Sequence, residues 1–357
     1  MSWQEMLQRF CSPEQLLHPK ERRMNLSKPN EMDYLFISTR IRALETRLLD
    51  KEQIETMIEA HSNAEALKVL NDRGYKEVEE ISIKSINDML AAERQRVIED
   101  MSFFAPDQRI VDVFKLKYDY HNVKVLLRCE STGSAPDALL IDSGRISAKE
   151  LEEAIRTSEL RFLPPILQES IVKAREVLGN TRDPQLADFI LDQAYFQEMF
   201  QLAEETRSEF LADYVRTMID GANLRSAVRT LRMGKGSAFL EGVLFSGGTV
   251  DTGRILASVN AGSGLNELFG FSRFKEAAEA GTAALQGGSL TNFEKLCDNA
   301  VQAYLSGAKY IAFGEAPLIA YLAAKENELT TIRIIMAGRM AGLPADTIRE
   351  RMRDTYV

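Results

Sequence analysis

Two stretches have the glycine content of a phosphate cradle, Met233-Gly-Lys-Gly-Ser237 and Ala261-Gly-Ser-Gly-Leu-Asn-Glu267. A Walker loop needs Gly five residues ahead of its Gly-Lys pair and Ser or Thr directly after it; those positions hold Arg229 and Gly236. A dinucleotide fingerprint needs a third Gly at 267, which is Glu, and a strand before the motif, which the sequence does not supply. Both stretches therefore read as helix–helix loops. His18, His61 and His121 have no second ligand at metal-binding spacing, and Cys11, Cys129 and Cys297 form no Cys-x-x-Cys. Glu152-Glu153 and Glu204-Glu205 are adjacent on helices, so the two carboxylates of each pair point apart. No Gly-x-Ser-x-Gly or His-Glu-x-x-His occurs. The expectation is no catalytic residue, no metal and no cofactor. What remains is a basic stripe: Arg225, Arg229 and Arg232 share one helical face, Asp220 lies five residues ahead, and Lys124 and Arg128 repeat the i, i+4 part of the pattern. Such a stripe either pairs with carboxylates of neighbouring helices or binds a partner.

The elements that must carry this stripe are helical nearly throughout. Apolar residues recur at helical spacing over Tyr34–Glu59, Ala64–Leu70, Val113–Leu127, Leu151–Leu160, Phe189–Leu202 and Val215–Leu231. Asn-Gly hairpin turns are absent and alternating Val/Ile/Thr runs are few. Glycine-rich breaks at 131–134, 234–236, 247–248, 262–264 and 287–288 mark loops. The chain has 357 residues with 45% hydrophobic, enough for a sizeable core. Its net charge of −9 argues against nucleic acid, which demands clustered Lys and Arg. Sparse cysteines fit a reducing compartment. No stretch approaches the roughly 18 consecutive apolar residues of a membrane span, and residues 1–10 lack a signal-peptide core.

Internal repetition is the strongest signal. An end motif appears as Asn122-Val-Lys-Val-Leu-Leu-Arg128, Asn223-Leu-Arg-Ser-Ala-Val-Arg229 and Thr331-Ile-Arg-Ile-Ile-Met-Ala337. A start motif appears as Leu49-Asp-Lys-Glu-Gln-Ile54 and Ile146-Ser-Ala-Lys-Glu-Leu151, and Asp251-Thr-Gly-Arg-Ile255 echoes Asp142-Ser-Gly-Arg-Ile146. Leu49 to Asn122, Ile146 to Asn223 and Ile255 to Thr331 are offsets of 73, 77 and 76 residues. Leu191-Asp-Gln-Ala194 also resembles Cys297-Asp-Asn-Ala300. The expectation is an all-α chain: an extension over 1–32, then helical repeats over 33–140, 141–247 and 248–357. Asp50, Ser147 and Asp251 are expected to cap the helices that open the repeats.

Several of these stretches also resemble a known family. Tyr34-Leu-Phe-Ile-Ser-Thr-Arg-Ile-Arg-Ala-Leu44, Tyr118-Asp-Tyr-His-Asn-Val-Lys-Val-Leu-Leu-Arg128, Asp213–Arg225 and above all Pro317–Ile335 with Ala341-Gly-Leu-Pro344 resemble the C-subunit family of V-type and archaeal-type rotary ATPases, whose eukaryotic equivalent is the d subunit. The likeness is collinear over residues 33 to 353. It implies a funnel of three related subdomains about a pseudo-threefold axis and a non-catalytic role as rotor socket. The implied partners are the D and F shaft subunits and the proteolipid c-ring; no nucleic acid is expected. The chain would work from the cytoplasmic, inner face of the membrane, coupled to proton or sodium transport. The stripe Arg225, Arg229 and Arg232 is the candidate interface.

The family's motifs say nothing of residues 1–32. There Trp3, Met6, Leu7 and Phe10 make a short apolar face suited to docking on the body or on a partner; Met24 or Met32 is an alternative start. A helical scaffold for some other protein is the second functional class, and an enzyme with an unrecognised pocket the third.

Overall fold

A computed structural model of the chain describes residues 29–136, 139–262 and 264–357. The apolar face at Trp3, Met6, Leu7 and Phe10 lies outside them. Among the described residues there are sixteen α-helices and no strand. They are α1 (Leu35–Glu45), α2 (Lys51–Glu59), α3 (Asn63–Asp72), α4 (Ile83–Phe104), α5 (Gln108–Thr132), α6 (Ala148–Thr157), α7 (Pro165–Thr181), α8 (Pro184–Thr206), α9 (Glu209–Arg232), α10 (Ser237–Glu241), α11 (Thr252–Ala261), α12 (Leu265–Phe269), α13 (Lys275–Leu285), α14 (Leu290–Ser306), α15 (Glu315–Met340) and α16 (Ala345–Arg349). The all-α expectation holds.

Local chemistry accounts for many of the helix starts. Asp50, Ser147 and Asp251 each accept a hydrogen bond from the third backbone N–H of the helix that follows, as N-caps do. At Asp50 and Ser147 the bond is reciprocated by Gln53 and Glu150, completing a capping box. This cap divides the periodic stretch Tyr34–Glu59 into α1 and α2, separated by a turn over residues 46–50. The Gly-Leu-Pro stop also works as read. Gly342 takes φ +68°, its N–H reaches Arg339, and Leu343 N–H reaches Gly338, satisfying the last carbonyls of α15. Helix α15 begins at Glu315, and Pro317 sits in its first turn, where a helix has no use for the missing N–H.

The chain divides into two compact units. One joins the described residues up to Val111 with Gly288–Val357; the other is Asp112–Gly287. The first is built around α15, which packs against α1, α4, α14 and α16 and is buried over most of its circumference. Ile332, Ile335 and Met336 are fully buried there beside Leu70, Leu90 and Met57, with Met340 at the margin. In the second unit α7 and α8 form an antiparallel pair, and α8 and α13 pack on α9. Like α15, α9 is buried on nearly all sides. Gly221 in α9 makes this possible: a Cβ there would stand 3.0 Å from the Phe274 ring. Two of the three helices that carry the repeated end motif, α9 and α15, are thus the central helices of their units.

Candidate functional site

The recurring motif builds a recurring piece of polar chemistry. In α5, the Asn122 side chain donates to the Ile141 carbonyl at 2.8 Å and accepts from the Ile141 N–H at 2.9 Å. In α9, Asn223 does the same to Phe245, at 2.8 Å for both bonds. A primary amide offers one donor and one acceptor side by side, so it pairs with one backbone residue as a strand would. One turn earlier stands a carboxylate. Asp119 accepts from Arg145 N–H at 2.9 Å and Ile146 N–H at 3.2 Å. Asp220 accepts from Val250 N–H at 3.1 Å and from the Thr249 hydroxyl. Glu328 in α15 accepts from Leu49 N–H at 2.5 Å.

Ile146, Val250 and Leu49 each directly precede an N-cap: Ser147, Asp251 and Asp50. Three times over, therefore, one carboxylate on a long helix holds the entry to another helix. The third instance lies within the first unit, where the late helix α15 holds the early α2. Glycine makes the approach possible at two of the three. A Cβ on Gly144 would meet Asp119 Oδ1 at 2.2 Å, and one on Gly248 would meet Asp220 Oδ1 at 2.3 Å. Gly144-Arg-Ile-Ser147 is thus the structural partner of Gly248-Thr-Val-Asp251. The textual echo between Asp142-Ser-Gly-Arg-Ile146 and Asp251-Thr-Gly-Arg-Ile255 is out of register: Arg145 lies two residues before its cap, whereas Arg254 lies three residues inside its helix. Backbone hydrogen bonding, which ignores side-chain identity, decides the alignment.

The electrostatics of the three sites differ. Arg145 Nε lies 2.7 Å from Asp119, and its Nη1 lies 2.8 Å from Glu198, which also accepts from the Tyr120 hydroxyl at 2.8 Å. Burial works to lower the Arg145 pKa, but the two carboxylates outweigh it and hold the guanidinium above its usual range. Burial likewise pushes the Asp119 carboxyl up, against the opposing pull of Arg145 and two backbone N–H groups. With a guanidinium in contact, the pair stays ionised at neutral pH. Asp220 has a hydroxyl where Asp119 has a guanidinium, and burial leaves its carboxyl above the ordinary range. At Glu328 the cation is Lys325, 2.7 Å away and also 2.9 Å from Glu93, with the Tyr75 hydroxyl donating to Glu328 at 2.5 Å. These groups hold loops in place, and structural polar networks account for them.

The basic stripe lies on α9. Arg225 is half-buried, while Arg229 and Arg232 lie in the last turns of the helix, where the ends of the peptide dipoles favour cations. The stripe's counterparts on α5 are spent internally: Lys124 pairs with Asp192 at 2.5 Å and Arg128 pairs with Asp188, both carboxylates of α8. His121 contacts the Leu139 carbonyl at 3.1 Å. The loop at Gly234–Gly236 joins α9 to α10, and that at Gly262–Gly264 joins α11 to α12. Among the described residues no group of three His, Cys, Asp or Glu is placed to hold a metal ion, and no helix is long and apolar enough to cross a membrane.

Comparison with known proteins decides what this thrice-clamped helical chain is. A family model described as "ATP synthase (C/AC39) subunit" matches residues 37–351. The chain belongs to that family. It is similar to the C subunit of the V-type sodium ATPase of Enterococcus hirae, 27% identical with 91% of this chain and 99% of the relative covered. It is also similar to the C subunit of the A-type ATP synthase of Methanocaldococcus jannaschii, 26% identical over 88% and 85%. The C subunit of the V-type ATP synthase of Deinococcus radiodurans is 25% identical over 90% and 91%. Membership makes the chain a non-catalytic component of a V/A-type rotary ATPase. Sequence reasoning named the Asn of the clamp motif, and noted Asp220 only as a neighbour of the basic stripe, but gave no clamping role to Asp119, Asp220 or Glu328. The signal was present as Asp-x-x-Asn at 119–122 and 220–223, weakened to Glu-x-x-Thr at 328–331.

Proposed function

We propose that this protein is the rotor socket of its ATPase: it joins the D–F shaft to the proteolipid c-ring at the inner, cytoplasmic face of the membrane and transmits torque between them. The observation that carries the reading is the family match over residues 37–351. The build of the chain suits the task. A torque-bearing part must not shear internally, and close-packed helices resist shear. The entry loops are tied to long helices by paired amide and carboxylate bonds, which limits slippage between successive helices. The three repeats, over 33–140, 141–247 and 248–357, would surround a central axis in a funnel. The coupled ion, proton or sodium, is a property of the ring.

Within this reading Arg225, Arg229 and Arg232 form the contact for the shaft. The test is capture of the co-expressed D–F pair by the purified chain at low and moderate salt. Stoichiometric, salt-sensitive binding is expected. Arg229→Glu with Arg232→Glu, both exposed positions, should weaken capture tenfold or more while leaving the helical circular dichroism in place. Undiminished capture removes the stripe from the interface; no capture by a folded chain at any salt, with or without the ring, removes the socket.

A further inference from the structure

The hairpin made by α2 and α3 leaves the body of the first unit and returns to it at one point. At its entrance, Leu49 N–H donates to Glu328 Oε2 at 2.5 Å; at its exit, the Tyr75 hydroxyl donates to Glu328 Oε1 at 2.5 Å. Local chemistry delivers Tyr75 there. Gly74 takes φ +89°, its N–H reaches Asn71 and the Tyr75 N–H reaches Leu70, so α3 ends in a tight turn that directs the chain back. Arg73 Nη1 donates to the Thr46 carbonyl at 2.8 Å and ties the exit to the entrance. From Lys76 to Ser82 the chain is not helical, which separates the hairpin from α4.

The other fastenings of the hairpin come from the same part of the chain. Arg339, about three turns after Glu328 on α15, donates from Nη1 to the Ile58 carbonyl at 2.6 Å and from Nη2 to the Ala60 carbonyl at 2.7 Å. Helix α2 therefore runs alongside α15 with a carboxylate at its N-terminal end and a guanidinium at its C-terminal end. Those are the charges that the orphan N–H and C=O groups of a helix call for. Arg349 of α16 pairs with Glu55 and Glu59 on the outer side of α2. On the inner side Ile54, Met57, Leu67 and Leu70 share one core with Ile332 and Met336 of α15. Asp119 and Asp220 each hold one end of the segment that follows them; Glu328 holds both ends of one segment. A segment whose entrance and exit are fastened by one group, and whose apolar faces close on one helix, is a single cooperative unit.

We infer that residues 49–75 form a flap that opens and closes on α15 as one piece, with Glu328 as its bolt. Opening uncovers the face of α15 that carries Ile332 and Met336, and leaves α4, α15 and the second unit folded.

Native-state hydrogen exchange of the full chain in low denaturant tests this. The protected amides of α2 and α3 should share one opening reaction with one denaturant dependence, more frequent than the reactions that expose α4 and α15. Glu328→Gln keeps the shape of the bolt and removes its charge. It should speed exchange of α2 and α3 together by about tenfold or more, with α9 unchanged. Arg339→Met removes the tie at the far end of α2 and should speed the same set of amides, which a flap requires and a local loop contact does not. Helices α2 and α3 that open with different denaturant dependences in the unaltered chain overturn the inference, even where Glu328→Gln does not fold. Exchange that quickens in Glu328→Gln only at Leu49 and Asp50 overturns it too, since Glu328 is then a clamp on one loop. An equal quickening of α4 and α15 does the same, since the first unit then opens as a whole.

Discussion

The Asp119 and Asp220 junctions perform one task with different electrostatics. Each carboxylate stands one turn before an amide clamp, each meets a glycine that lets the loop come close, and each holds the residue ahead of an N-cap. At Asp119 the balance is kept by Arg145, itself shared with Glu198. At Asp220 the place of Arg145 is taken by Thr249, and the carboxylate relies on one hydroxyl and backbone N–H groups. The geometry is fixed by backbone donors, which both sites have. The charge is compensated by a side chain that only one has. The first site therefore depends on its ion pair, and the second does not.

Removing the cation should have the largest effect. Arg145→Met leaves Asp119 and Glu198 buried without a counter-charge and should destabilise the second unit by about 3–5 kcal/mol in denaturant titration. Asp220→Asn, which keeps an acceptor for Val250 N–H, should change stability by less than about 1 kcal/mol at neutral pH. Equal costs at the two sites would sink the comparison. Next come the glycines. Gly144→Ala and Gly248→Ala each force a methyl against a carboxylate oxygen and should cost about 1–3 kcal/mol apiece. Here the two junctions should behave alike, and faster exchange of the Ile146 and Val250 amides would show it.

The pH dependence sharpens the contrast. The Asp220 carboxyl is raised above its ordinary value near 3.8 by burial. A raised carboxyl contributes stability that is full below its unfolded pKa and is lost as pH rises through the folded one. Wild type should therefore gain on Asp220→Asn as pH falls from 7 towards 4. Glu93 in the first unit is the opposite case. Burial would raise it, but hydrogen bonds from Arg96 and the charge of Lys325 bring it below its ordinary 4.5. Its contribution is present above 4.5 and lost as pH falls through the folded pKa, so the cost of Glu93→Gln should shrink on acidification. The smallest effect belongs to Lys124→Ala, which breaks a partly exposed pair with Asp192 and should cost about 1 kcal/mol or less.

How far the sequence reveals these features follows from the range of the forces involved. Helix caps at Asp50, Ser147 and Asp251 are visible because a cap acts within four residues. The stop at Gly342–Pro344 is visible for the same reason. Asn122 and Asn223 stand out as repeated letters, but their work, pairing with Ile141 and Phe245 some 20 residues on, does not. The third copy is hardest to see, since Glu328 and Thr331 replace the acid and the amide, and its target, Leu49, lies 279 residues away. The register error at Arg254 has the same origin: a shared string of letters is not a shared hydrogen bond.

By itself the sequence determined the helical class, the caps and stops, the acidic character of the chain and, through collinear motifs, its family. These depend on composition and on contacts between neighbours along the chain, where periodicity and side-chain chemistry act directly. Only the tertiary structure decided that α9 and α15 are central helices, that three carboxylates hold three helix entries, that Arg145 rather than Arg254 neutralises one of them, and that Lys124 and Arg128 are consumed by α8. Each of these is a long-range pairing, and a buried charge finds its partner by proximity in space, which one chain read from end to end does not contain.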